Sequence, residues 1–329
     1  MAQAQTNPQT PQAQDLADLN ALIARMRSGE RRATSRAVTE LERLSAAAPR
    51  LIEAMQPHLG HALVVGFTGP PGAGKSTLIN AYTRHLREEN KTVGIIAVDP
   101  SSPISGGAIL GDRIRMTATL DDDGVFMRSL ASRGHLGGLC PAAVRVIDAL
   151  DAAGKDVVLL ETVGTGQTDI DVAEVADARV VVTAPGLGDD IQAMKSGLLE
   201  IADVLVVNKG DREGADRTLQ HLKGALSLKP DARANVPVLK VTATTGEGVS
   251  AMANAIDDLG SAIAKIDARA RRRRRARYLI ARAASDMVAE RIRAGQGDQL
   301  NDLADAVLAG AMLPADAAAK LIGDNSSSK

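Results

Sequence analysis

The sequence predicts an α/β fold, a mostly parallel central sheet covered by helices on both faces, and three observations carry that prediction. Short apolar runs recur at 62–67, 93–98, 157–160, 179–183, 204–207 and 236–241. Amphipathic segments at about 78–90, 141–153, 189–201, 214–228 and 248–264 separate them. Runs that are apolar throughout suit strands buried on both sides, and the intervening helices supply the crossovers that parallel strands need. The third observation is how the first run ends: it passes straight into Gly69-Pro-Pro-Gly-Ala-Gly-Lys-Ser76 and then into a helical pattern.

Composition agrees with a packed chain. Of 329 residues, 45% are hydrophobic and 24% charged, enough to bury a full core and to exclude disorder throughout. Two Tyr, two Phe and no Trp leave a core of Ala, Val, Leu and Ile and no stacking platform for single-stranded nucleic acid. The net charge of −1 provides no global field for nucleic acid or an anionic membrane. A single cysteine, Cys140, and five scattered histidines form neither a disulfide nor the spacing of a transition-metal site. No run of about 18 apolar residues occurs, so no spanning helix is expected. A cytoplasmic protein is the simplest expectation.

Taken in order, residues 1–14 are rich in Gln, Ala, Pro and Thr and read as a disordered leader rather than a signal peptide. Residues 15–57 place apolar side chains at helical spacing (Leu16, Leu19, Leu22, Ile23, Met26, then Val38, Leu41, Leu44), an N-terminal helical extension. Residues 58–260 hold the alternating strands and helices. From 261 to 329 the strand signals stop, and residues 262–293 read as one long Ala/Arg-rich helix before two short ones at about 299–309 and 314–322.

The glycine-rich octet fits G-x-x-x-x-G-K-[ST] in the context that motif needs, strand before and helix after. Its glycines let successive backbone N–H groups turn inward around a phosphate, and the helix N-terminus adds its positive end. Gly72, Ala73, Gly74, Lys75, Ser76 and Thr77 are the expected phosphate contacts, with Lys75 reaching the β- and γ-phosphates and Ser76 ligating Mg²⁺. The fold is therefore expected to be that of a P-loop NTPase, with the N-terminal helical extension and a C-terminal helical dimerisation arm added.

Asn208-Lys-Gly-Asp211 closes the run at 204–207. At this position in chains that resemble GTPases, the carboxylate of Asp211 accepts from guanine N1–H and the exocyclic amine. Adenine would leave that carboxylate unpaired, which discriminates strongly. Lys209 would lie along the base and Asn208 would tie the loop to its neighbours. Thr242-Ala-Thr244 after the last strand is a weaker match to the final guanine motif, with the Ala243 amide facing the guanine oxygen.

The run at 157–160 ends in Glu161-Thr-Val-Gly164, an acid positioned to hold Mg²⁺ or its water while Gly164 senses the γ-phosphate. Asp99, at a strand end, and Asp112, after Ser105-Gly-Gly-Ala-Ile-Leu-Gly, are candidates for the metal or for positioning water. Each is otherwise a surface-loop carboxylate.

On these segments (GPPGAGKST, VDPSSPISGGAILGDRIRM, RSLASRGHLGGL, ETVGTGQTDIDVAEVAD, APGLGDDIQAMKSG and NKGD) the chain resembles the MeaB/ArgK family of SIMIBI-class P-loop GTPases, which includes the human methylmalonic aciduria type A protein. The match is dense over about 60–250 and follows only by pattern at the flanks. The resemblance implies a homodimeric GTPase, using GTP/GDP and Mg²⁺, that chaperones adenosylcobalamin-dependent methylmalonyl-CoA mutase, gating cofactor loading and protecting the enzyme from inactivation.

By position, the resemblance gives Lys75 and Ser76 to phosphate and Mg²⁺, Asp99, Asp112 and Glu161 to the metal and switch region, and Asn208, Lys209 and Asp211 to the base. It also implies a third switch at 184–195, where Lys195 approaches the nucleotide once the mutase docks; otherwise Lys195 is a solvated helix lysine. Many relatives in the wider class carry a second lysine early in the loop that crosses the dimer. Here Pro70-Pro71 stands instead, so hydrolysis without a partner should be slow. Gln167 is a candidate for orienting water, and no base is identifiable.

The remaining feature is Arg271–Arg275 with Arg269 and Arg277. Such a run can bind nucleic acid or anionic lipid. Yet Ile263, Ile266, Ala270, Tyr278 and Ile280 give it an apolar side, which favours an arm that packs in a dimer. Two other enzymatic readings stay open, a nickel-insertion GTPase of the same class and a small-molecule kinase of the ArgK type.

Overall fold

The computed structural model describes residues 11–99, 122–131, 141–162, 171–172, 174–186, 198–228, 235–293 and 297–323. Seven strands form one sheet: β1 (Leu63–Thr68), β2 (Val93–Asp99), β3 (Val125–Ala131), β4 (Val157–Thr162), β5 (Ala178–Thr183), β6 (Val204–Val207) and β7 (Val238–Lys240). Their order is β3-β2-β4-β1-β5-β6-β7 and every pairing is parallel. The helices are α1 (Pro11–Arg27), α2 (Arg31–Arg43), α3 (Ala48–Met55), α4 (Lys75–Glu88), α5 (Pro141–Ala152), α6 (Leu198–Ile201), α7 (Ala215–Ser227), α8 (Val249–Ala264), α9 (Ala268–Arg293), α10 (Gly297–Leu308) and α11 (Pro314–Gly323). The chain divides into two compact units, Met1–Arg275 and Ala276–Lys329.

Burial explains the apolar runs. Every residue of β4 and β6 is buried, whereas the edge strands β3 and β7 are partly open. On one face Val65, Phe67, Ile95, Leu159, Val180 and Val206 pack against α4 and α8. The two most voluminous fully buried side chains, Tyr82 and Phe67, meet there with ring centroids 6.1 Å apart. On the other face β1 approaches the chain ahead of β5 so closely that a Cβ on Gly66 would lie 2.2 Å from Val172 Cγ1 and 2.9 Å from Ala176 Cβ.

The N-terminal helices form a small layer on α5. α2 buries Ala33, Ala37, Val38 and Leu41 at the spacing of one helical face. Arg145 Nε donates to Leu41 O at 2.9 Å, and Arg128 of β3 pairs with Glu42. Arg128 thus serves to fasten that layer to the sheet edge.

Three sequence expectations need correction. β3 was absent from the apolar runs because it carries Arg128 and Ser129 in its middle, tolerable at an edge strand with only one neighbour. The last strand is shorter than 236–241. The helix expected at 262–293 is broken: α8 stops at Ala264, and Asp267 restarts the helix by accepting the Arg269 N–H at 3.0 Å, as an N-cap does. Of the segment 189–201, only α6 falls among the described residues. Among these residues, no helix is long and apolar enough to cross a membrane.

Candidate nucleotide site

All parallel strands point their carboxyl ends to one edge of the sheet, and β1, between β4 and β5, lies at its centre. Loops leaving such an edge are where α/β sheets hold ligands. The loop after β1 turns on Gly69, Gly72 and Gly74, with φ of 137°, 79° and 84°. Only glycine takes these values without strain. Space also demands it: a Cβ on Gly69 would lie 2.0 Å from Val182 O and one on Gly74 2.5 Å from Asn208 Nδ2.

Lys75 opens α4 and is buried. Its ammonium donates to Gly69 O at 2.7 Å and Pro70 O at 3.1 Å, so the charge is already held on the loop. Ser76, also buried, donates its hydroxyl to Glu161 Oε1 at 2.6 Å. The register pairs Phe67 with Glu161, bringing the acid of β4 beside the first turn of α4. A hydroxyl and a carboxylate oxygen in contact beside a phosphate loop form the hard-oxygen donor set that suits Mg²⁺. Thr77 follows, half-buried.

Asp99 ends β2, two residues past Ala97, the register partner of Glu161, and therefore stands on the same edge. Asp112, Gly164, Gln167 and Lys195 lie outside the described residues.

The predicted base-reading segments meet at the phosphate loop. Asn208, 2% exposed, donates to Ala73 O at 2.9 Å and Gly74 O at 3.3 Å, and its Oδ1 accepts the Ala243 N–H at 3.2 Å. One side chain thereby ties the loops after β1, β6 and β7. The Ala243 N–H, expected to face the guanine oxygen, is in this structure directed at Asn208. Lys209 adopts φ 56° and donates Nζ to Gly72 O at 2.6 Å, bridging two of the same loops. Gly210 N–H donates to Val241 O at 3.0 Å, and Asp211 stands exposed beside it. Thr242 and Ala243 are buried, and Thr244 is exposed.

Sequence reasoning overlooked the hydroxyls under the loop. Thr162 Oγ1 lies 3.4 Å from Phe67 O and 3.3 Å from Thr68 Oγ1, and Thr183 is buried at the end of β5. Threonines closing three apolar strands at one edge were the available signal.

A family model described as "Methylmalonyl Co-A mutase-associated GTPase MeaB" matches residues 34–297. A Pyrococcus abyssi protein named for GTPase activity is 49% identical over 235 residues, 70% of this chain and 72% of its own. The GTPase ArgK of Escherichia coli is 44% identical over 193 residues, 57% of this chain and 58% of its own. The mouse mitochondrial methylmalonic aciduria type A homolog is 38% identical over 194 residues, 57% of this chain and 46% of its own. Among solved structures, one titled as a LAO/AO transport system kinase superposes with a TM-score of 0.75 at 27% identity, covering 94% of this chain and 98% of that one.

Proposed function

Because the chain belongs to the MeaB family of methylmalonyl-CoA mutase-associated GTPases, we propose that it is a Mg²⁺-dependent GTP switch that chaperones adenosylcobalamin-dependent methylmalonyl-CoA mutase. Its nucleotide state would gate cofactor loading and protect the mutase from inactivation. The observation that carries the nucleotide reading is the Asn208 bridge, which joins a phosphate loop to both guanine-type segments through 2.9 and 3.2 Å hydrogen bonds. The client rests on the family description.

In this reading the loop amides and Lys75 hold the phosphates, and Asp211 accepts from the guanine edge. Ser76 and Glu161, with Asp99 and Asp112, would hold Mg²⁺, which when bound neutralises charge on the phosphate oxygens. Gly164 would sense the γ-phosphate. Pro70-Pro71 leaves no second lysine in the loop, so turnover alone is slow and Lys195 supplies charge when the mutase docks. Homodimerisation is supported by Ile280 and Met287, 70% and 57% exposed and seven residues apart on α9, a spacing that puts both on one helix face. The domain assignment proposed is a 58–260 GTPase domain and a 261–329 dimerisation arm.

The test is phosphate release from GTP with and without purified mutase, in wild type and Lys195→Ala. The expected result is a large stimulation that the variant loses. Stimulation kept by the variant removes the role of Lys195, and neither stimulation nor mutase binding removes the client. The kinase title of the structural relative gives a second reading its test in the same assay: label passing from the γ-phosphate to a metabolite or protein instead of to free phosphate.

A further inference from the structure

The arginine run of α9 is not used by the site, yet Arg271, Arg274 and Arg275 are committed within the first unit. Arg271, Arg274 and Arg275 stand at i, i+3 and i+4, one face of a helix, and all three reach Asp177, whose side chain is 1% exposed. Arg275 Nη2 donates to Asp177 Oδ2 at 2.7 Å and Arg271 Nη1 donates to it at 3.3 Å, while Arg274 Nη2 lies 3.7 Å from Oδ1. Each guanidinium also takes a backbone carbonyl: Gly60 O at 2.8 Å for Arg271, Ala176 O at 2.5 Å for Arg274, Val175 O at 2.9 Å for Arg275. Asp177 in turn accepts the Val64 N–H at 3.1 Å.

A single carboxylate therefore joins three elements: the start of β1, the chain entering β5, and α9. Both strands run from this edge to the nucleotide edge, where β1 becomes the phosphate loop and Val182 O abuts Gly69. The gripped residues 175–177 lead directly into β5, whose far end lies against the phosphate loop. Gly66 admits no slack there, since it lies against Val172 and Ala176. A joint intended only as a permanent staple is made more cheaply from apolar side chains, because desolvating several guanidiniums around one carboxylate offsets most of its own attraction. Polar joints of this kind can instead exchange partners between two arrangements.

We propose that the Arg271–Arg274–Arg275 grip on residues 175–177 passes the nucleotide state of the phosphate loop, through β1 and β5, to α9. The inference rests on the guanine-nucleotide reading given above. It gives the arginine run an intramolecular purpose in place of nucleic-acid binding.

The test is hydrogen–deuterium exchange on the full chain with Mg²⁺ and either GDP or a non-hydrolysable GTP analogue. In wild type, amides of residues 268–293 should exchange at rates differing about threefold or more between the two nucleotides. Arg274→Ala, the half-exposed member, should abolish that difference while keeping nucleotide affinity and the response of residues 161–177. Arg271→Gln is the second variant should the first melt early, and exposed Arg273→Ala should behave as wild type. The proposal is overturned if wild-type α9 is indifferent to nucleotide while 161–177 responds, or if both grip variants keep the α9 response. Failure of either nucleotide to bind overturns the guanine reading itself, and the relay with it.

Discussion

At the scale of single residues, the proposed chemistry turns on Glu161. Its contact with Ser76 predicts that Glu161→Gln keeps most GDP affinity but lowers Mg²⁺-dependent phosphate release by about 100-fold or more, the order seen when a charge-stabilising group is lost; a phosphate-release assay across Mg²⁺ concentrations checks it. Tyr82 offers the opposite case. Its hydroxyl is buried with no hydrogen-bond partner among the described residues, and burial raises its pKa. Tyr82→Phe keeps the ring on Phe67 and deletes an unsatisfied group, so denaturant unfolding should show stability unchanged or raised by up to about 1 kcal/mol. Asp148 gives a pH signature. Burial pushes its carboxyl up to about 6, against the pull of Arg275 and Arg272 and with a small push from Asp151. The folded chain therefore holds a proton that the unfolded chain releases near pH 4, and stability falls as pH rises from about 4 to 6. Asp148→Asn should raise stability at pH 7.5 by on the order of 1–3 kcal/mol, read as a higher melting temperature, and the gain should vanish near pH 4.

Elements show most plainly what a sequence reveals. The fold class was legible because strands buried on both faces leave no polar positions, and the glycine-rich turn after β1 because its glycines are dictated by backbone geometry that a sequence states directly. Glu161 and Asn208 were legible as types at strand ends, but their partners were not: that Asn208 would engage Ala243 requires the β6–β7 pairing. β3 escaped because edge strands tolerate polar residues, and the break at Asp267 because a cap is one residue inside an otherwise helical composition. The arginine run was the least legible, since its meaning depends on Asp177, 94 to 98 residues away. Gly66 supplies the element-scale prediction. Gly66→Ala forces β1 away from Val172 and Ala176, and should cost about 1–3 kcal/mol of stability as an overpacked core position, measured by denaturant melts with an unchanged slope.

For the molecule as a whole, the site belongs to no single segment. Loops after β1, β6 and β7 meet the end of β4 at one edge and hold one another through Asn208, Lys209 and Ser76. Nucleotide binding should therefore stabilise the whole first unit. GDP at 100 times its dissociation constant should add about 2.7 kcal/mol to unfolding, and ATP at the same concentration should add nothing, a contrast that thermal melts read directly. The Asn208 bridge also has a consequence during synthesis. It spans 135 residues back to Ala73 and 35 forward to Ala243, so a growing chain displays its glycine-rich loop long before the segments that hold that loop exist. At translation rates of about 5–20 residues per second, that interval lasts roughly 10–30 s. Through it, the three-way Asn208 bridge stays open, and it closes only when the ribosome has delivered the chain past the last strand.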